Sequence, residues 1–347
     1  MTTFEIATEQ DNPDLRRLLR ENSMQSWVSM SIEREPSFFA GQNRFGQDWT
    51  VIARQGPAAV GMYTCANHPV HINGLAQKLG YLGALRIDSS YRNQVRVLRD
   101  GYASLRYLST GGQPKSWYTC IASENQPARR MLEANLKGMP IYKPAGEMIT
   151  FALPRVRGHS LALWSPVRTG QMEALCDFYN QQATQWQFAP ALTPEIARLT
   201  GATFYVHDKG GRISACMALW NQQSYKQVVA RAYRRPLATL VPAYNAYARL
   251  ARKVELPPVG ESLDQTFLSF LAAPIKQPGL FVDLVSDAAA LCPSKVLALG
   301  LNSQHPCSEL IQRKFKPLMY RTQVYVVGFG DVLELDGRPA QPEVAVL

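Results

Sequence analysis

The stretch Leu85-Arg-Ile-Asp-Ser-Ser-Tyr-Arg-Asn-Gln-Val-Arg-Val-Leu98 reads as a strand running into a helix that begins near Arg92. The first N–H groups of a helix lack intrahelical acceptors, and the macrodipole adds partial positive charge where they point. Such an end suits phosphate. At about 100° per residue, Arg92, Arg96, Arg99 and Arg106 share one helical face, while Val95, Leu98, Tyr102 and Leu105 share the neighbouring one. Arginines in a first turn oppose the macrodipole unless an anion joins them, so a bound polyphosphate would resolve the conflict. A solvated basic face is the structural alternative. Further on, Ser116-Trp-Tyr-Thr-Cys-Ile-Ala122 reads as a second strand. The helix after it starts through Asn125, with Pro127 in the first turn, where a missing N–H costs nothing.

Together these elements resemble the acyl-CoA site of the GNAT (GCN5-related N-acetyltransferase) superfamily. In that family a strand ending Leu-x-Val-x-Pro-x-Tyr runs into Arg/Gln-x-x-Gly-x-Gly/Ala, and Leu85, Ile87, Tyr91 and Arg92 fit the frame. Val95 and Val97 stand at its two glycine positions. Asn125 and Ala128 fit the family's Asn-x-x-Ala element, and Leu132 stands where many members carry an acid tyrosine. The resemblance implies that Leu85, Ile87, Arg92, Asn93, Gln94, Val95, Arg96 and Val97 bind the cofactor, with Asn125 and Ala128 on its pantetheine arm. It also implies a backbone N–H near Ile87 polarising the thioester carbonyl, and Asp88 and Glu124 as candidate bases. Tyr142 is a substitute acid. Asn125 equally suits a plain N-cap, and Asp88 and Glu124 equally suit turns or caps.

The elements that must position these groups repeat. The first half reads as a strand near 3–8, a helix near 12–22, an irregular stretch to about 46, strands at 49–54, 58–66 and 80–88, then the two motif helices and a last pair of strands. The second half reads as a strand at 160–165, a helix at 169–183, a glycine hairpin between Phe204–Asp208 and Arg212–Trp220, and a helical insertion at 238–253. Strand, helix, strand and helix follow from 266, ending in a strand at 320–327. Expected is an α+β fold of two tandem GNAT-like domains, each with a mostly antiparallel central sheet flanked by helices. They span 1–154 and 160–330, with a polar tail at 331–347. The second copy lacks the phosphate motif and reads as degenerate.

With 46% hydrophobic and 18% charged residues in 347, the chain is globular rather than disordered, and its net charge of +10 favours anionic partners. Six scattered cysteines without a C-x-x-C pair point to reduced thiols and a cytoplasmic location, and no apolar run approaches the ~18 residues of a membrane span. His68-Pro-Val-His71 lacks further ligands, so no metal is expected. Tyr225, Lys226, Arg231, Tyr233, Arg234 and Arg235 read as a charged strand and turn as readily as a nucleic-acid stripe, so no nucleic acid is expected. The leading expectation is transfer of an acyl group from acetyl-CoA, or another acyl-CoA, to a small-molecule or peptide amine. A non-catalytic ligand-sensing or interaction scaffold and an aminoacyl-tRNA-dependent transferase are the alternatives.

Overall fold

The computed structural model describes residues 2–23, 27–91, 95–105, 107–108, 116–156 and 160–347. The first half runs β1 (Thr2–Ile6), α1 (Asn12–Glu21), β2 (Val28–Glu33), β3 (Gln47–Gln55), β4 (Ala58–Ile72), β5 (Leu75–Ile87), α2 (Val95–Ser104), β6 (Ser116–Ala122), α3 (Gln126–Glu133) and β7 (Ile141–Pro154). The second runs β8 (Ser165–Pro166), α4 (Met172–Ala183), α5 (Pro194–Thr200), β9 (Thr203–Lys209), β10 (Arg212–Trp220), β11 (Gln227–Tyr233), α6 (Leu237–Leu250), β12 (Gln265–Ala272), α7 (Pro278–Leu291), β13 (Val296–Asn302), α8 (Ser308–Phe315) and β14 (Leu318–Gly328). No helix among the described residues is long and apolar enough to cross a membrane.

Local rules account for many of these elements. Pro13 sits in the first turn of α1, and Leu15, Leu18 and Leu19 form its buried stripe. Gly210 and Gly211 both have positive φ (63° and 81°), the backbone a two-residue hairpin needs to match the strand twist, and they join β9 to β10. Other expectations are corrected. The stretch read as irregular to residue 46 contains β2, whose partner β11 lies in the other half of the chain. Ile141–Pro154 forms one long strand rather than two; Gly146 (φ 135°) absorbs a bulge opposite Val324 and Tyr325. Ser160–Trp164 is not a strand, because the carboxylate of buried Asp287 accepts the N–H groups of Leu161, Leu163 and Trp164. A side chain there replaces a neighbouring strand.

Among the described residues, twelve strands form one mixed sheet in the order β1-β3-β4-β5-β6-β14-β7-β13-β12-β10-β9-β8. The order is palindromic in kind: β5 and β6 correspond to β12 and β13, the two parallel pairs, and each half surrenders its last strand to the other. β14 pairs with β6 from Thr322↔Ala122 to Gly328↔Ser116, and β7 pairs with β13 from Val296↔Pro154 to Asn302↔Met148. The exchanged strands pair with each other at the centre. On one face α2 and α3 bury Leu98, Tyr102, Leu105 and Leu132 against Tyr63, Leu82 and Trp117, and against Tyr325 and Val327 of β14. Tyr325 is fully buried, takes a hydrogen bond from Arg129 Nε (2.9 Å) and donates to Glu133, so a residue of the second half fastens α3 of the first. The opposite face carries a cluster shared by both halves, from Tyr81 and Tyr118 to Phe204, Trp220 and Phe270.

Because β6 and β13 each lose a neighbour if the halves part, two exposed sheet edges would appear at once. The chain is therefore expected to unfold in one cooperative step by near- and far-ultraviolet circular dichroism, with residues 1–159 alone failing to fold. Two resolved transitions, or a native-like isolated first half, would contradict this.

Candidate active site

β5 and β6 are ladder partners at only two positions, Gly80↔Trp117 and Tyr81↔Tyr118. One more tie, from the Thr119 hydroxyl to the Leu82 carbonyl (2.7 Å), closes the joined part. Beyond it each strand stays with its outer neighbour: β5 follows β4 as far as Gly61↔Ile87, and β6 follows β14 as far as Thr322↔Ala122. The pair splays, leaving two facing main-chain edges. The divergence follows a bulge in β5, where the ladder skips between Thr64↔Gly83 and Met62↔Arg86 and Ala84 is left-handed at φ 46°. Alanine rarely adopts that conformation, and it turns the strand away from its parallel neighbour.

The residues assigned roles from the sequence distribute around this opening. Leu85 is exposed on the open edge and Ile87 half-buried at its end. Arg92, Asn93 and Gln94 lie outside the described residues, as does the side chain of Val95, the first residue of α2. Val97 is buried beside Leu98, while Arg96 points to solvent and lies 3.7 Å from Asp100. Asn125 caps α3 by accepting the Ala128 N–H at a long 3.4 Å, and Arg129 N–H takes its carbonyl.

The three groups given acid–base roles are not gathered together. Asp88 accepts from Arg17 Nη1 (3.3 Å) and the Ser90 N–H (3.0 Å); the backbone bond from Ser90 is the largest influence holding its carboxyl below the usual range. It fastens the turn after β5 to α1. Glu124 is exposed where β6 ends. The Tyr142 hydroxyl is buried under α2 against Tyr102, on β7, and burial first of all pushes its pKa well above the ordinary value. β6 and β14 stand between it and the opening.

On the face away from α2, directly under the last parallel rung, is a floor that sequence reasoning did not find. His68 Nδ1 shares a hydrogen bond with the Tyr118 hydroxyl (2.6 Å), stacks on Tyr81 (5.2 Å between ring centres) and meets the edge of Phe45 (5.1 Å). Tyr118 in turn stacks on Phe188 at 5.2 Å and 3°. Burial, and after it the charge of Lys226, lowers the His68 imidazole to about 3, so the ring is neutral in the fold. Residues three apart in a strand face opposite ways, so His71 departs from His68 and hydrogen-bonds the Pro190 carbonyl (3.1 Å). The sequence signal at the floor was His68 itself, met only as a metal-like spacing with His71.

The second half repeats the opening and closes it. β12 and β13 pair from Gln265↔Val296 to Leu268↔Leu299 and then part, with Phe270 left-handed at φ 50°. Here the final segment occupies the gap: Glu343 accepts from the Phe270 N–H (2.9 Å), the Ser269 hydroxyl (3.2 Å) and the Ala345 N–H (3.1 Å). Val344 lies so close to Gly300 that a Cβ there would approach it to 2.3 Å. The segment expected to be a polar tail therefore packs inside, with Ala340, Val344 and Ala345 buried. What is left of the second opening is a cavity of about 50 Å³ between Trp186, His305, Tyr179 and Glu343. Ala84 is the left-handed residue at the corresponding place in β5.

Two halves with corresponding strand order, each with a bulged strand splayed from its parallel partner, form a tandem GNAT-like fold. The chain superposes on Saccharomyces cerevisiae N-myristoyltransferase with bound myristoyl-CoA (TM-score 0.62, 10% identity, covering 95% of this chain and 79% of that one). It likewise superposes on a GCN5-related N-acetyltransferase from Anabaena variabilis (TM-score 0.52, 10% identity, 94% and 72%). No family model and no curated protein matches the sequence.

A neutral His68 carries a pH signature. Its folded pKa lies below the unfolded value near 6.5, so stability is complete above about pH 6.5 and falls as the unfolded chain takes up a proton between there and about 3. His68→Gln keeps an amide for Tyr118 but cannot titrate. Its melting temperature should decline less steeply than the parent's over that window, and parallel curves would count against the assignment.

Proposed function

We propose that the protein transfers an acyl group from acyl-CoA to an amine, with acetyl-CoA as the donor. The observation that carries this reading is the open edge between β5 and β6, whose main chains are not ladder partners of each other beyond Tyr81 and Tyr118 and which begins at left-handed Ala84. A pantetheine arm, itself an extended chain with two amides, satisfies such borders as an added strand would. Residues Arg92 to Val97 at the start of α2 would hold the pyrophosphate, and Asn125 and Ala128 the arm. The packed aromatic floor of Tyr81, Tyr118 and Phe188 favours a short acyl chain over a long one.

In this reading the amine lone pair attacks the thioester carbon while the Ala84 N–H, rather than one nearer Ile87, faces the developing oxyanion. The carbon–sulfur bond breaks, coenzyme A leaves as thiolate, and the amine proton passes through water toward Glu124 or bulk solvent. A thiol of pKa near 8.5 leaves without an acid at limited penalty, which fits the burial of Leu132 and of Tyr142 away from the opening.

Acetyl-CoA at about a hundred times its dissociation constant should stabilise the fold by about 2.7 kcal/mol and raise the melting temperature accordingly. Hexanoyl- and myristoyl-CoA should bind more weakly. Arg96→Ala, at an exposed position, should weaken binding about tenfold without changing the melting temperature of the free protein. No shift with any of the three thioesters would sink the proposal; binding without turnover on a broad amine panel would favour a ligand-sensing scaffold.

A further inference from the structure

A helix that is apolar on every side is ordinarily buried in a core or a bilayer. α6, Leu237-Ala-Thr-Leu-Val-Pro-Ala-Tyr-Asn-Ala-Tyr-Ala-Arg-Leu250, has no charged residue before Arg249, yet it lies at the surface. It follows β11 of the two-stranded ribbon and is held on one side by residues 254–256. There the Tyr244 hydroxyl donates to the Val254 carbonyl (3.0 Å), Asn245 exchanges hydrogen bonds with the Leu256 main chain (2.8 and 2.9 Å), and Ala248 is buried. At about 100° per residue, Leu240, Ala243, Tyr247 and Leu250 fall within one quadrant turned away from that contact. All four are exposed, Leu250 at 87%. Trp27, the one exposed tryptophan of six, stands at the entry to the helix, where its carbonyl accepts the Arg234 N–H (3.0 Å). Contiguous apolar side chains of this kind mark a contact surface.

Charge identifies the partner. Arg234 and Arg235 lead into α6, and Arg249, Arg252 and Lys253 end it. Arg249 is already matched by Glu255 at 2.8 Å. Among the described residues, no carboxylate lies within ion-pair distance of Arg234, Arg235 or Arg252, and Lys253 Nζ lies over the exposed Tyr247 ring at 5.0 Å. Every other α-helix among the described residues carries a carboxylate, and α6 carries none. A second copy docked on this side would bring cations against cations, whether the two helices ran parallel or antiparallel. An anionic lipid surface meets both requirements, because the acyl boundary takes the apolar quadrant while headgroup phosphates take the cations at either end. Tyrosine and tryptophan suit the same boundary. At about 21 Å for its fourteen residues, α6 is shorter than the ~30 Å hydrocarbon core, so it would lie on a bilayer rather than span it.

We infer that α6 seats the protein on an anionic membrane surface. The helix lies in the headgroup plane with Leu240, Tyr247 and Leu250 in the acyl boundary, and Arg234, Arg235 and Arg252 against lipid phosphates. This seat uses none of the residues assigned to coenzyme A.

Co-sedimentation of the full chain with vesicles tests it, using phosphatidylcholine alone and phosphatidylcholine with about one part in three of phosphatidylglycerol. The anionic vesicles should bind about tenfold or more tightly than the neutral ones, with affinity falling as salt rises. Binding should shift tryptophan emission to the blue, and Trp27→Phe should remove that shift. Leu240→Gln combined with Leu250→Gln keeps the net charge and, at exposed positions, the melting temperature, yet should lower the affinity about tenfold or more. Arg234→Gln combined with Arg235→Gln should weaken binding to anionic vesicles by a similar factor. Absence of binding to anionic vesicles overturns the membrane seat. Binding that survives the leucine changes also overturns it, because the net charge of +10 then accounts for the attraction without α6. So does a dimer in sedimentation velocity that the leucine changes convert to monomer, since a second copy then covers the face.

Discussion

Main-chain hydrogen bonding at two parallel strand pairs governs the architecture. Strands that part after two or four rungs leave donors and acceptors without mutual partners, which is tolerable only where each strand keeps its outer neighbour and something else enters the gap. For β6 the outer neighbour is β14, and for β13 it is β7, so each half depends on a strand made by the other. The same exchange sends Tyr325 across to Arg129 and Glu133 and fastens α3 beside the first opening. Exchange and opening are two consequences of one requirement.

The two openings differ in what enters them. In the second, the chain's own Glu343 and Val344 fill the gap, and the N–H of left-handed Phe270 holds a carboxylate oxygen. In the first, the edges beyond Tyr81 and Tyr118 lead from the start of α2 to a floor of stacked rings. The second half contributes β14, β11 and the segment around Glu343 to the centre.

Ionisable groups follow the same division. Where the fold provides partners, as for Asp88 with Arg17 or Glu33 with Arg231, the charges are structural and the carboxylates are held in place. Around the floor, burial keeps His68 neutral and Tyr118 protonated, so these groups orient and exclude water instead of exchanging protons near neutrality.

Local chemistry wrote much of this fold into the sequence. The 3.6-residue apolar period of α1 and α2, the prolines opening α1 and α3, the Gly210–Gly211 turn and the strand–helix grammar of both halves depend on residues close in the chain, and they sufficed for the tandem GNAT-like fold. Tertiary structure decided the rest. β2 cannot be read without β11, 194 positions away from Glu33 at Gln227, and nothing local distinguishes a strand given to its own half from one given to the other. Asp88 looks like a base in sequence and is a turn anchor in the fold, held by the neighbouring Ser90 N–H and tied to α1 by Arg17. His68 and Lys226, met in the sequence as a weak metal pattern and a charged stripe, share one environment because the ribbon and the mixed sheet converge there. Nearest-neighbour propensity specifies elements, whereas burial, charge compensation and partner choice arise between residues a hundred or more positions apart, and those decide what each group can do.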